Sequence, residues 1–450
     1  AARPGITRHG YQAFRPVAIQ SVAMPETDWG ALAQHWLDRL AACSELGPGV
    51  TRLPFTPEHR AALAALTELM EQAGLAVRLD DAGTLIGRLA GPVGAPALLM
   101  GSHQDSVRQG GAYDGIMGVV LPVLALMKLR QEGATLPFAV EVLAFADEEG
   151  VRFPTALMGP RALAGTFDMA ALDMRDRDGI TLRRAMEDFG LKPDALPGLK
   201  LDPAQVLGWV EIHLEQGPVL EAATQDIGIV TSICGIERHM ITLTGKAAHA
   251  GTMPMHLRCD ALAGAAELTL AVETLARETD GLLATVGALQ VRPGVVNAVP
   301  GEVAMTLEIR APDDPTREEA GASLTKAARD IARCRGLVLD IARSYAQPAT
   351  PCSPGLIEHL SQAVETGNHE GARLMASGAT HDTSAMASFC PVGMVFTACR
   401  DGVSHHPDEH VADGAMLSGI LTLERFLRRF QQADPAAPRV SQSVPTQPQA

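Results

Sequence analysis

The chain has 450 residues, 46% of them hydrophobic and 20% charged, a length better served by two folded units than by a single core. Its 37 Lys and Arg stand against 52 Asp and Glu, for a net charge of −15, and no basic cluster stands out, which argues against nucleic acid or an anionic membrane as partner. No apolar run reaches the roughly 18 residues that cross a bilayer, and residues 1–10 lack the apolar stretch of a secretory signal.

Two helical patterns fill residues 26–74, followed by short strands at 77–80 and 84–89. A brief apolar strand at 97–100 runs into Gly-Ser-His103-Gln-Asp105, and Gly-Gly-Ala-Tyr-Asp114-Gly opens a long apolar helix at 116–130. The next strand, 138–144, ends on Asp-Glu148-Glu149-Gly. Strands alternating with helices imply a mixed, largely parallel α/β sheet covered by helices, whose ligands sit beyond the carboxyl ends of the strands. His103, Glu148 and Glu149 fall there. The segment 210–215 alternates, placing Glu211, His213 and Glu215 on one face and Val210, Ile212 and Leu214 on the other.

The middle of the chain has another rhythm. Strand 239–245, helix 260–277, strands 283–291 and 302–310, helix 316–335 and strand 337–343 give a βαββαβ order, that of a ferredoxin-like unit. An inserted α+β domain is therefore expected at 231–348, between catalytic parts at 1–230 and 349–433. Helix 354–365, strand 393–397 and helix 411–431 belong to the second part. Residues 434–450, rich in Pro, Gln, Ser and Ala, read as a disordered tail. Seven Cys without a C-x-x-C spacing fit a reducing cytoplasm.

The chemistry lies in five segments that end strands or open turns with metal-binding side chains. His103 and Asp105 are two apart, so Asp105 is placed to accept the free ring N–H of His103. Asp114 reads either as a helix cap or as a bridge between two cations. Glu148 and Glu149 concentrate negative charge at the end of a buried strand, where a cation relieves repulsion and one carboxylate can bind metal while its neighbour moves protons. Val-Ser-His405-His406-Pro offers two imidazoles, between which position does not choose. His249, in Ala-Ala-His-Ala-Gly-Thr, reads as a substrate contact.

Gly-Ser-His-x-Asp-Ser, Tyr-Asp-Gly, Asp-Glu-Glu-Gly-Val-Arg-Phe, His-Leu-Glu-Gln-Gly-Pro-Val-Leu-Glu, Ala-Ala-His-Ala-Gly-Thr-Met-Pro-Met, Val-Asn-Ala-Val-Pro-Gly-Glu, Ser-Gly-Ala-x-His-Asp and Gly-Val-Ser-His occur in this order. Together they resemble the allantoate amidohydrolase and N-carbamoyl-L-amino acid hydrolase group, which includes β-ureidopropionases and is related to dimetal aminoacylases and carboxypeptidases. The resemblance implies two divalent ions, Zn²⁺ or Mn²⁺ with Co²⁺ or Ni²⁺ also compatible, one held by His103, Asp114 and His213, the other by Asp114, Glu149 and His405. It implies Glu148 as general base, His249 as an oxyanion donor reaching the other subunit of a homodimer, Arg310 as a carboxylate clamp beside Asn297 and Gly378, and Gln216 as a ureido contact. The implied substrate is a small ureido carboxylate, allantoate first, with N-carbamoyl-L-amino acids or 3-ureidopropionate as alternatives. An aminoacylase or dipeptidase is more remote, because His213 stands where those enzymes carry a carboxylate; a non-catalytic binding protein is disfavoured by the complete ligand set. Gln104, Pro160 and Thr380 depart from the family pattern, and Thr380 adds bulk near Gly378.

Overall fold

The computed structural model describes residues 27–364 and 371–430; the expected tail at 434–450 and the first residues of the expected catalytic part lie outside them. A nine-stranded sheet, a five-stranded sheet and a two-stranded ribbon organise these residues. In chain order, β1 (Ala76–Leu79), β2 (Leu85–Leu89), β3 (Ala97–His103), β4 (Ala139–Phe145), β5 (Val206–Leu214) and β6 (Ile227–Ile233) enter the larger sheet. There follow β7 (Gly235–Thr244), β8 (Ala248–His249), β9 (Leu283–Thr285), β10 (Leu289–Arg292), β11 (Ala298–Val299), β12 (Glu302–Ala311) and β13 (Val338–Gln347). Of these, β8 and β11 form the ribbon and the rest the smaller sheet. The chain then returns to the larger sheet through β14 (Thr350–Pro351), β15 (Arg373–Ser377) and β16 (Val392–Thr397).

The larger sheet runs β1-β2-β4-β3-β5-β16-β6-β14, with β15 also against β6. Its centre, β4-β3-β5-β16, is parallel throughout, while β1, β2 and β14 pair antiparallel with their neighbours. Every residue of β3 and β4 is buried, as a sheet covered on both faces requires. The helix Met117–Gln131 is buried on nearly every side, which explains why its sequence is apolar all round rather than amphipathic.

The smaller sheet is ordered β10-β12-β7-β13, with β9 also against β12, and every one of these pairings is antiparallel. The helices Ala261–Glu278 and Asp314–Arg335 pack on it through their own core, in the βαββαβ order. One expected strand, 283–291, is two: β9 and β10 both pair with β12 but break around Gly287. There Thr306 of β12 takes over the pairing, its hydroxyl accepting the amide of Ala288 at 3.0 Å while its own amide donates to the Ala288 carbonyl at 3.1 Å. β6 and β15 have no counterpart among the expected strands.

Two buried polar residues tie the leading helices Trp29–Ala41 and Pro57–Gln72 to the rest. Arg52 is 2% exposed and donates to the carbonyls of Leu40, Cys43 and Gln104 at 2.8, 3.2 and 2.6 Å. Three carbonyls satisfy a guanidinium that burial pushes down to about 10. His59 is fully buried, accepts the Phe55 amide at 2.9 Å through Nδ1 and stacks on Phe189 at 4.7 Å. No helix among the described residues is long and apolar enough to cross a membrane, and all seven cysteines are free.

Candidate metal centre

The carboxyl ends of the four central parallel strands converge on one pocket. His103 is the last residue of β3, His213 the penultimate residue of β5, Glu148 and Glu149 follow β4, and His405 lies in the loop after β16. Asp114 sits in the turn that opens the helix at Met117. Ligating atoms of His103, Asp114 and His213 lie within 4.8 Å of one another, as do those of Asp114, Glu149 and His405, and those of His103, Glu148 and Glu149. Asp114 is common to the first two groups.

The two carboxylate oxygens of Asp114 face opposite imidazoles. Oδ1 is 3.1 Å from His213 Nε2, Oδ2 is 3.1 Å from His405 Nε2, and Glu149 Oε1 is 3.5 Å from the same His405 nitrogen. The Nδ1 atoms of His103 and His213 point away, onto the carbonyls of Asp105 at 3.0 Å and Leu214 at 2.9 Å. A carbonyl only accepts, so both Nδ1 atoms carry the proton and both Nε2 lone pairs face the cluster. The amide of Gly115 donates to His213 Nε2 at 3.3 Å, consistent with that tautomer.

Asp105 departs from its expected role. Its carboxylate is 3.7 Å from His103 Nδ1, beyond hydrogen-bond range, and it is the backbone carbonyl of Asp105 that supports the ring. The carboxylate accepts the amides of Glu148 and Glu149 instead, at 3.1 and 3.2 Å. With its carboxylate turned to those two amides, Asp105 presents its backbone carbonyl to the ring.

Backbone strain gathers here. Asp147, Gln216 and His405 adopt left-handed φ values of 60, 57 and 56°, positions that non-glycine residues hold only where surroundings enforce them. In His405 that turn brings the ring inward; His406 faces outward, its Nδ1 accepting the Asp408 amide at 3.2 Å. Gly115 has φ +65°, and a Cβ on it would stand 2.3 Å from the His103 ring, so glycine is required twice over.

The electrostatics call for positive charge. Glu148 is held well above the usual carboxylate range by burial and then by Glu149, Asp382, Asp105 and Asp114, while burial and the Asp114 charge push Glu149 up to about 8. Asp114 Oδ2 and Glu149 Oε1 are buried without a hydrogen-bond partner. Three imidazoles and two carboxylates converging within ligating distance of one another fit a divalent cation site.

The remaining expected residues spread over a wider rim. Gln216 Nε2 donates to Asp114 Oδ1 at 3.2 Å and Ser404 Oγ at 3.1 Å, in contact with the ligand set. Arg310 donates through Nε to Glu308 at 2.7 Å and through Nη1 to the Gly378 carbonyl, which puts Arg310 and Gly378 side by side. Gly378 adjoins Ser377, whose hydroxyl meets His381 Nε2 at 2.9 Å. His249 on the ribbon and Asn297, the residue before β11, are both exposed and near one another, the Asn297 carbonyl accepting the Ala250 amide at 2.9 Å, and His249 joins none of the ligand groups among the described residues. Two participants escaped sequence reasoning: His381, part of a quoted motif but given no role, and Glu409, which accepts the Asp114 amide.

Comparison with known proteins decides the family. A model of the peptidase family M20/M25/M40 matches residues 99–429. The chain belongs to this family. Within M20/M25/M40 its relatives are amidohydrolases, acting on carbon–nitrogen bonds other than peptide bonds. An N-carbamoyl-L-amino acid amidohydrolase of Geobacillus stearothermophilus is 40% identical over 376 residues, covering 82% of this chain and 92% of that one. An allantoate deiminase of Arabidopsis thaliana is 35% identical, covering 87% and 80%. The crystal structure of a hydantoinase/carbamoylase family amidase from Burkholderia multivorans superposes with a TM-score of 0.82 at 31% identity, covering 89% of this chain and 97% of that one.

Proposed function

We propose that this M20/M25/M40 member hydrolyses the carbamoyl C–N bond of a small ureido carboxylate at a centre for two divalent cations. The observation that carries this reading is the division of Asp114, one oxygen toward His213 and the other toward His405. His103, Asp114 and His213 would hold one ion, and Asp114, Glu149 and His405 the other. When bound, the ions supply Lewis acidity toward the ureido carbonyl and toward water. The donor set suits Zn²⁺, Mn²⁺, Co²⁺ or Ni²⁺.

The side chains do the rest. Glu148 takes a proton from the attacking water and delivers one to the departing nitrogen, so that the C–N bond breaks with release of ammonia and a carbamate, which loses CO₂. Asp105 fixes the backbone of that base. Gln216, its amide nitrogen already engaged, turns its carbonyl to a ureido N–H. Arg310 keeps its Nη2 edge for a substrate carboxylate, because Nε and one Nη1 proton are taken by Glu308 and Gly378. His249 Nδ1 accepts the Gly251 amide at 3.1 Å, which leaves Nε2–H as an exposed donor for the oxyanion in the site of the partner subunit, within a homodimer joined through residues 231–348. Nucleic acid and membrane have no part in this reading, and a cytoplasmic location accords with the free cysteines.

Allantoate heads the substrate list on the strength of Asp147–Phe153 and residues 162–191. N-carbamoyl-L-amino acids form the second reading, favoured by Leu283. It lies opposite Arg310 in the β9–β12 register, is 59% exposed, and stands 4.0 Å from where a Cβ on Gly378 would be. An apolar wall beside the clamp suits an amino acid side chain better than a second ureido group. Ammonia release by metal-loaded protein from allantoate, a set of N-carbamoyl-L-amino acids and 3-ureidopropionate tests both. Cleavage of N-acetyl amino acids or dipeptides in their place would move the assignment to an aminoacylase or peptidase.

A further inference from the structure

We propose that Glu409 is a positioning residue that ties the Asp114 turn to the His405 loop, so that its loss weakens the Asp114–Glu149–His405 ion position and spares the His103–Asp114–His213 position. The inference rests on the two-cation reading above. Glu409 is 4% exposed, and its Oε1 accepts the amides of both Tyr113 and Asp114 at 3.0 Å. Its Oε2 accepts the hydroxyl of Ser404, the residue before His405, at 2.8 Å. One carboxylate thus spans the backbone of the shared ligand and the loop of a ligand that belongs to a single ion position. Gln216 closes the circuit by donating to both Ser404 and Asp114.

A second observation points the same way. A Cβ on Gly111 would stand 2.0 Å from Glu409 Oε1 and 2.4 Å from Glu409 Cβ. Gly111 is not among the residues with left-handed φ, so its own backbone does not demand glycine. The absent side chain is the space in which the Glu409 carboxylate lies.

The selectivity follows from how each ligand is otherwise held. His103 and His213 are 3% and 1% exposed and are pinned by backbone carbonyls through Nδ1. The Asp114 turn retains its helix-opening bonds, Ile116 amide to Asp114 carbonyl at 2.7 Å and Met117 amide to Tyr113 carbonyl at 3.0 Å. His405 has no such backbone support among the described residues: its side chain is 50% exposed on a strained residue, and its Nε2 meets the carboxylates of Asp114 and Glu149 at 3.1 and 3.5 Å. Removing Glu409 therefore frees His405 first.

The experiment is calorimetric titration of chelator-treated protein with Mn²⁺ or Zn²⁺, with ion stoichiometry by mass spectrometry, on the wild type, Glu409→Ala, Glu409→Gln and Gly111→Ala, alongside the melting temperature of each ion-free form. Glu409→Ala and Gly111→Ala are expected to bind the first ion as the wild type does and the second roughly 10- to 100-fold more weakly. Glu409→Gln, which keeps an acceptor for both amides, should fall between them and the wild type. Gly111→Ala displaces the carboxylate without removing it, so a folding defect in one substitution leaves the other to decide. Two ions bound with wild-type affinity in these variants, or both ions lost together, would overturn the role of Glu409 alone. A wild type that binds a single ion would overturn it together with the two-cation reading.

Discussion

Asp105 and Glu148 are joined through the backbone: Asp105 Oδ1 accepts the Glu148 amide at 3.1 Å, while its other oxygen takes the amide of Glu149 at 3.2 Å. One carboxylate thereby sets the position of the proposed base and of the proposed ligand beside it. Asp105→Asn can satisfy only one of these amides, and its NH₂ opposes the other. The expected result is a kcat lowered about 10- to 100-fold with KM nearly unchanged, measured by ammonia release. An unchanged kcat would remove Asp105 from the machinery.

Glu148→Gln removes the proton acceptor while keeping size and polarity. Turnover should fall by about 10²- to 10⁴-fold, with ion content preserved, because Glu148 is assigned to proton transfer rather than to either ion. Parallel assays of ammonia release and bound metal check this, and a variant that turns over normally refutes the assignment.

Gly115→Ala places a Cβ 2.3 Å from the His103 ring on a residue with φ +65°. The left-handed backbone alone costs roughly 1–2 kcal/mol, and the ring must also move off its carbonyl. A lower melting temperature together with loss of the His103-bound ion is expected, read by thermal unfolding and metal analysis. Full ion content in the variant would show that the ring does not need this glycine.

His59 gives a pH dependence remote from the metal centre. Burial, followed by the charges of Arg52 and Arg60, lowers its pKa to about 3 from an ordinary 6.5. As pH falls below 6.5 the unfolded chain binds a proton that the folded one refuses, so stability is lost on acidification, by about 1.4 kcal/mol per pH unit until the folded pKa is reached. Between about pH 7.5 and 5.5 the wild type should therefore lose about 1.4 kcal/mol more than His59→Gln in urea unfolding. Equal losses would show that His59 titrates normally in the fold.

What the sequence made legible was the chemistry that terminates strands. His103, Glu148, Glu149 and His213 announce themselves because polar, ion-binding side chains stand at the ends of buried apolar strands, where a fold has no other use for them. Glu409 carries no such mark: it sits in a loop and acts on backbone amides almost 300 residues away, 295 in the case of Asp114. Choosing between His405 and His406 likewise needed a left-handed residue that no local pattern encodes. The break at Gly287 was hidden because Thr306, on another strand, supplies the compensating bonds. For Asp105, spacing placed the residue beside His103, but its carboxylate is taken by the amides of Glu148 and Glu149, more than 40 residues on, and the ring meets the backbone carbonyl instead.

The pocket draws on segments written far apart in the chain, with the smaller sheet between His213 and His405. A nascent polypeptide leaving the ribosome will have completed β5, and with it His103, Asp114, Glu149 and His213, long before His405 and Glu409 emerge. On the proposed two-cation reading, only the His103–Asp114–His213 position has all its ligands by then, and the second is completed when His405 and Glu409 follow.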